Sequence, residues 1–238
     1  MNRILFDPSE IKDGIAAFGG ERAAHVMNVL HGAVGQVLKT GVLNGPVGTS
    51  EILSVGPVVT ARVNHAQESL LPWADLVLAP PRPRVMKRLL PQLAALGVGR
   101  IVLVGAQKVE KDFWGATLLK PENYRPLLID GLMQAGTSIV PELELRRGFR
   151  KFLRDELDVL FPQTGRIVAH PGPATPAPPA APSGGRLLLA VGPEGGWTDE
   201  EVALMEAKGF RRYSLGSRIL KTDTATVALL AKLNTEDR

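Results

Sequence analysis

The sequence predicts an α/β protein in two domains, a small β-barrel over residues 1–71 and a larger, mostly parallel sheet domain over 72–238. Three observations predict it. Up to residue 70, short apolar runs are separated by Gly, Pro and Asn turns. From Trp73 onward, strand-like runs alternate with helical ones, the pattern of a sheet covered on both faces. The chain is 45% hydrophobic but only 5% aromatic, as expected where Val, Ile and Leu fill buried parallel strands.

In the first domain, 36–39 (QVLK) and 58–63 (VVTARV) read as strands between turns, with a helix over 21–30. Many short strands and one helix suit a small barrel. In the second domain the expected strands are 75–79, 100–105, 142–145, 166–169, 186–192 and 211–215. The expected helices are 86–96, 122–135, 149–160, 199–208 and 223–233. Met86, Leu89, Leu90 and Leu93 fall on one helical face. Pro91 interrupts that helix and is expected to kink it. Residues 171–185, PGPATPAPPAAPSGG, lie between two strands of one domain. They read as an exposed, polyproline-like loop insertion and not as a domain boundary.

Composition excludes several functions. The chain has no cysteine, so disulfides and thiolate metal sites are ruled out. His25, His31, His65 and His170 show no close ligand spacing, and no metal is expected. MNRILFDPSE lacks a charged-then-apolar leader, and no apolar run reaches membrane-spanning length. A cytoplasmic protein without a membrane partner is therefore expected. The net charge is +4, and the basic surplus lies beyond residue 72. Arg82, Arg84, Lys87 and Arg88, then Arg146, Arg147, Arg150, Lys151 and Arg154, are either solvated helix faces or contacts for nucleic-acid phosphates.

The segment 191-VGPEGGWTDEE-201 follows a strand and opens a helix. Thr198 and Glu201 form a capping box, and Gly209 supplies the helix stop. Glycines in such a turn let backbone approach a ligand closely. A phosphate loop would carry a lysine here. This one carries Glu194, Asp199, Glu200 and Glu201, an acidic field that repels polyphosphate. It suits a cationic, hydroxyl-bearing ligand such as S-adenosylmethionine. Asp199, Glu200 and Glu201 read as acids complementing the helix dipole, and Glu194, inside the turn, as a functional group.

A second segment, 215-LGSRILKTDTATVALLAKL-233, sets Arg218 among apolar neighbours. Burying a guanidinium alone is costly, so Arg218 is expected to be paired or held for substrate. Thr222 or Asp223 is expected to cap the final helix.

Together these segments resemble the SPOUT class of methyltransferases, and more closely the family that methylates N3 of a uridine in 16S ribosomal RNA. That family has G-P-E-G-G after a strand and, further on, L-G-x-R-[IV]-L-R-x-E-T-A. Here these stand as Gly192-Pro193-Glu194-Gly195-Gly196 and as Leu215-Gly216-Ser217-Arg218-Ile219-Leu220-Lys221-Thr222-Asp223-Thr224-Ala225. The resemblance runs essentially end to end. Arg3-Ile4-Leu5-Phe6 matches the opening strand, His25 to His31 with Gly35 matches H-x-x-x-V-L-R-x-x-x-G, and Ala95-Leu96-Gly97-Val98 matches E-L-G-V. The departures are His31 for arginine, Ala95 for glutamate, Met133-Gln134-Ala135-Gly136-Thr137 for E-Q-[CS]-x-R, and Lys221-Thr222-Asp223 for R-x-E.

The resemblance implies a knotted (SPOUT) C-terminal domain and a PUA-like N-terminal barrel that grips RNA, in a homodimer using S-adenosylmethionine. It implies a cofactor cleft of three loops: His170 and Pro171; Gly192, Glu194, Gly195 and Gly196; and Leu215, Gly216, Ile219 and Leu220. Ile219 and Leu220 would hold the adenine. Arg218 would be the catalytic residue, stabilising charge on the uracil oxygens, and Asp223 is a candidate base by proximity in sequence only. Arg3, His31, Arg82 and Arg84 would face RNA, and the partner would be 16S ribosomal RNA or the small ribosomal subunit. Methylation of another RNA position, such as a ribose 2′-hydroxyl, and a catalytically silent RNA-binding role stand as alternatives. A Rossmann phosphate site fails on the acidic turn and on the missing G-x-G-x-x-G.

Overall fold

The computed structural model describes residues 2–162, 164–172 and 185–234. Most of the Pro/Ala-rich insertion expected over 171–185, residues 173–184, lies outside the described residues. The chain forms two compact units. One comprises Met1–Leu71 with Ile129–Val140, the other Pro72–Leu128 with Pro141–Arg238. The segment Ile129–Val140, expected in the second domain, clusters with the first unit.

The first unit is built on β1 (Ile4–Phe6), β2 (Ile11–Lys12), β3 (Ile15–Gly19), helix α1 (Gly20–Asn28), β4 (Val37–Val42), β5 (Val47–Ser54) and β6 (Val58–Gln67). Its six strands lie in the order β1-β4-β5-β6-β3-β2, a curled half-barrel. Only the β1–β4 pair is parallel. The core holds Ile4, Phe6, Phe18, Val26, Ile52 and Val59, supplied by alternate strand residues and one face of α1. A small polar cluster sits beside it. Thr40 Oγ1 lies 2.7 Å from both Ser50 Oγ and His65 Nε2.

The second unit has β7 (Ala74–Leu78), α2 (Pro83–Ala95), β8 (Val98–Val104), α3 (Pro121–Ala135), β9 (Glu142–Arg146), α4 (Phe149–Lys151), α5 (Leu157–Leu160), β10 (Gly165–Ala169), β11 (Leu187–Val191), α6 (Asp199–Ala207), β12 (Arg211–Tyr213) and α7 (Thr222–Leu233). The last turns of α3, from Ile129, cluster with the first unit. The six strands are all parallel, in the order β12-β10-β11-β7-β8-β9. Every residue of the central strands β7 and β11 is buried. That explains their apolar character, interrupted only in β7 by Asp75, which pairs with Arg186 at 2.9 Å.

Several local expectations are corrected. Helix α2 continues through Pro91. The carbonyl that loses its donor there belongs to Lys87, an exposed residue, so water can satisfy it. Phe149 to Leu160 is not one α-helix, because a π-helical stretch, Phe152–Glu156, separates α4 from α5. Strand β12 stops at Tyr213, which frees Ser214 and Leu215 for a loop.

Candidate active site

Parallel strands bring their carboxyl ends to one edge of a sheet, and ligands of such sheets bind outside that edge. Here β10, β11 and β12 end in the three loops picked out from the sequence. Together they line a cavity of about 290 Å³. All eleven expected cofactor and catalytic residues line it: His170, Pro171, Gly192, Glu194, Gly195, Gly196, Leu215, Gly216, Arg218, Ile219 and Leu220. Thr222, Ala225 and Leu229 of α7 close the floor, with Trp197 and Tyr213 beside them.

The loops are held from several sides. Gly192 lies against its own turn: a Cβ there would meet Trp197 N at 3.0 Å and Gly196 C at 3.2 Å. Gly196 has φ +68° and Gly216 φ +126°, conformations that L side chains rarely adopt. Gly196 N–H donates to Pro193 O at 2.8 Å, closing the turn. The Thr222 hydroxyl donates to Gly192 O at 3.2 Å, joining α7 to the turn. In the third loop, Ser214 Oγ donates to Gly172 O at 2.8 Å and accepts the Gly216 N–H at 3.1 Å. His170 N–H donates to Tyr213 O at 3.1 Å.

The helix after the turn begins as its residues dictate. Glu201 Oε2 accepts the Thr198 N–H at 2.8 Å, while Thr198 Oγ1 accepts the Glu201 N–H at 3.3 Å. Glu201 does more than complement the dipole. Its other oxygen accepts the Gln107 N–H at 2.7 Å, and the side chain is buried. Glu194 is exposed, and its Oε1 accepts the Arg82 backbone N–H at 3.3 Å.

Three expectations change here. Arg218 is exposed and not buried, and among the described residues no hydrogen bond or ion pair engages its guanidinium. Neither Thr222 nor Asp223 caps α7. The N-cap is Lys221, Thr222 turns to Gly192, and Asp223 pairs with Arg88 at 3.3 Å. Asp223 is not among the residues lining the cavity.

The expected RNA-facing residues fall two in each unit. Arg3 is occupied inside the first unit: Nε donates to Gly136 O at 2.9 Å and Nη1 to Thr40 O at 2.6 Å and Gly48 O at 3.0 Å. His31 is exposed, in a left-handed turn with φ 48°. Arg82 is exposed and pairs with Glu110 at 3.0 Å, and Arg84 is exposed on the first turn of α2. Sequence reasoning missed Trp197, Tyr213 and Ser214 in the cavity wall, and Gln107 and Lys108 behind the turn. Trp197 and Ser214 adjoin the two motif segments, whereas Gln107 and Lys108 reach the turn from a loop distant in sequence and carry no motif signal. Among the described residues, no group of acids and histidines could hold a metal, and no helix is long and apolar enough to cross a membrane.

Fold and cavity define an α/β domain with a small-molecule site at the carboxyl edge of a parallel sheet. The model of the RNA methyltransferase domain family matches residues 68–234, and the chain belongs to that family. It is 32% identical to the ribosomal RNA small subunit methyltransferase E of Treponema pallidum, over 97% of this chain and 90% of that one. A Legionella pneumophila methyltransferase solved with bound SAM is similar at TM-score 0.74 and 26% identity, covering 98% of this chain and 96% of that one. A ribosomal RNA small subunit methyltransferase E from Neisseria gonorrhoeae, bound to S-adenosyl methionine, shares the fold at TM-score 0.75 and 22% identity, covering 99% of this chain and 97% of that one.

Proposed function

We propose that the protein transfers a methyl group from S-adenosylmethionine to N3 of a uridine in small-subunit ribosomal RNA. The observation that carries this reading is the cavity itself: three loop ends of a parallel sheet converge, in a member of an RNA methyltransferase family, with a guanidinium at the rim. The residues present fit the cofactor. Glycines at 192, 195 and 196 admit close backbone approach, Leu215, Ile219 and Leu220 offer an apolar surface for a base, and Glu194 favours a cationic ligand. Bound there, the cofactor supplies an electrophilic methyl on a positively charged sulfur.

Arg218 supplies what uracil lacks. Loss of the N3 proton spreads negative charge onto O2 and O4, where the Arg218 guanidinium would stabilise it; the N–C bond that then forms would replace the methyl–sulfur bond and leave a neutral thioether. Asp223, turned to Arg88, does not line the cavity, and among the described residues Glu194 is the carboxylate that does. The three loops would hold the cofactor and the uracil side by side, and such positioning lowers the entropic barrier. The target base must be unstacked to enter. His31, Arg82 and Arg84 are the residues proposed to meet RNA, while Arg3 would have to give up three carbonyls to do so. A trefoil knot in the C-terminal segment, a homodimer and a cytoplasmic site of action complete the proposal.

Mass spectrometry of ribosomal RNA nucleosides from cells lacking the protein tests it. Loss of one 3-methyluridine is the expected result. Loss of a 2′-O-methyl nucleoside would move the target to ribose, and an unchanged profile would reject methylation.

A further inference from the structure

Lys108 lies in the loop after β8, and the structure ties it to the glycine-rich turn. Its Nζ donates to Gly195 O at 2.8 Å. Its stem covers Gly195 so closely that a Cβ at that position would lie 2.9 Å from Lys108 Cδ and 3.4 Å from Lys108 Cβ. We propose that Lys108 is a positioning residue for the cofactor turn, acting through the Gly195 carbonyl. The inference rests on the reading of the cavity as an S-adenosylmethionine site.

The physical case begins with the two consecutive glycines. A Gly-Gly peptide has no Cβ on either side to oppose rotation, so its plane needs external tethers. The 195–196 peptide has two. Its N–H is held by Pro193 O at 2.8 Å and its C=O by Lys108. The Gly192 carbonyl is separately held by Thr222. Of these contacts, Lys108 alone reaches the turn from the β8 side of the sheet.

The lysine is itself anchored. Gln107, its neighbour, donates its N–H at 2.7 Å to the buried carboxylate of Glu201, and Val109 N–H bonds Ala106 O at 3.1 Å. With its backbone fixed, Lys108 loses less freedom in making the bond than an unrestrained lysine would. The turn is thus held in one shape before ligand arrives, and such preorganisation raises affinity by reducing the ordering needed on binding.

Titration calorimetry with S-adenosylmethionine on the full chain tests this, comparing wild type with Lys108→Arg and Lys108→Met. Methionine keeps the apolar stem and loses the donor. It is expected to weaken binding about tenfold, the loss of one charge-assisted hydrogen bond at an exposed site. Arginine is expected to stay within about twofold of wild type, because it still donates. In methyl-transfer assays KM for cofactor should rise in Lys108→Met by the same factor as Kd, with kcat at saturation unchanged. Wild-type affinity in Lys108→Met, equal losses in both variants, or a fall in kcat with KM unchanged would each overturn the inference. A wild-type protein that binds no S-adenosylmethionine would instead overturn the cofactor reading and this inference with it.

Discussion

Arg218 lines the cavity and has no pairing partner among the described residues, where the sequence expects it to be paired or held for substrate. Its apolar neighbours in sequence suggested burial, yet Ile219 is 84% exposed and Arg218 is exposed beside it at the cavity rim. A guanidinium there has no internal ion pair to break. Arg218→Ala is therefore expected to leave cofactor affinity unchanged in calorimetry and to lower kcat about a hundredfold or more, the scale of losing one donor to developing charge. The glycines separate in the same way. Gly192→Ala places a Cβ against the turn's own backbone, whereas Gly195→Ala meets only the movable stem of Lys108. Cofactor binding should fall at least tenfold in Gly192→Ala and by less in Gly195→Ala. The reverse order would show that the turn is not the rigid part of the site.

At the scale of elements, Glu201 joins a helix start to a neighbouring loop. One carboxylate takes the Thr198 N–H, the Thr198 hydroxyl and the Gln107 N–H. Glu201→Ala removes a cap and leaves the Gln107 N–H without its acceptor, and is expected to cost about 2–3 kcal/mol in urea denaturation. In the half-barrel, burial and the nearby Arg3 hold the His65 imidazole below its ordinary pKa of 6.5. A depressed folded-state pKa means the neutral ring is favoured in the folded unit. The stability this group contributes is present above about pH 6.5 and is lost as pH falls from there through the folded pKa. Denaturation from pH 8 to 5 should show that loss in wild type, and His65→Gln should flatten it. The capping box was legible in the sequence because both partners lie three residues apart. The Gln107 and Thr222 contacts were not legible, because they cross between elements far apart in the chain.

Across the whole molecule, charge and topology act together. The exposed cations of α2, Arg84, Lys87 and Arg88, extend from the residue that holds Glu194. If they meet phosphates, Arg84→Ala should weaken binding to a small-subunit RNA fragment across sequences. It should also reduce the slope of log K against log salt by about one. An unchanged slope would assign Arg84 to the solvated face of α2.

The sequence by itself determined the order of strands and helices in the second unit, the capped helix after the turn and the glycine placement in that turn. These depend on local periodicity, glycine placement and spacing within a few residues. Only the tertiary structure decided that the three loops share one cavity, that Arg3 is spent on backbone carbonyls, that Asp223 faces Arg88, and that Lys108 holds the glycine turn. The packing of strands and helices sets those neighbours, and they join residues as far apart as 88 and 223. No local pattern encodes such pairs, because each depends on which elements lie side by side.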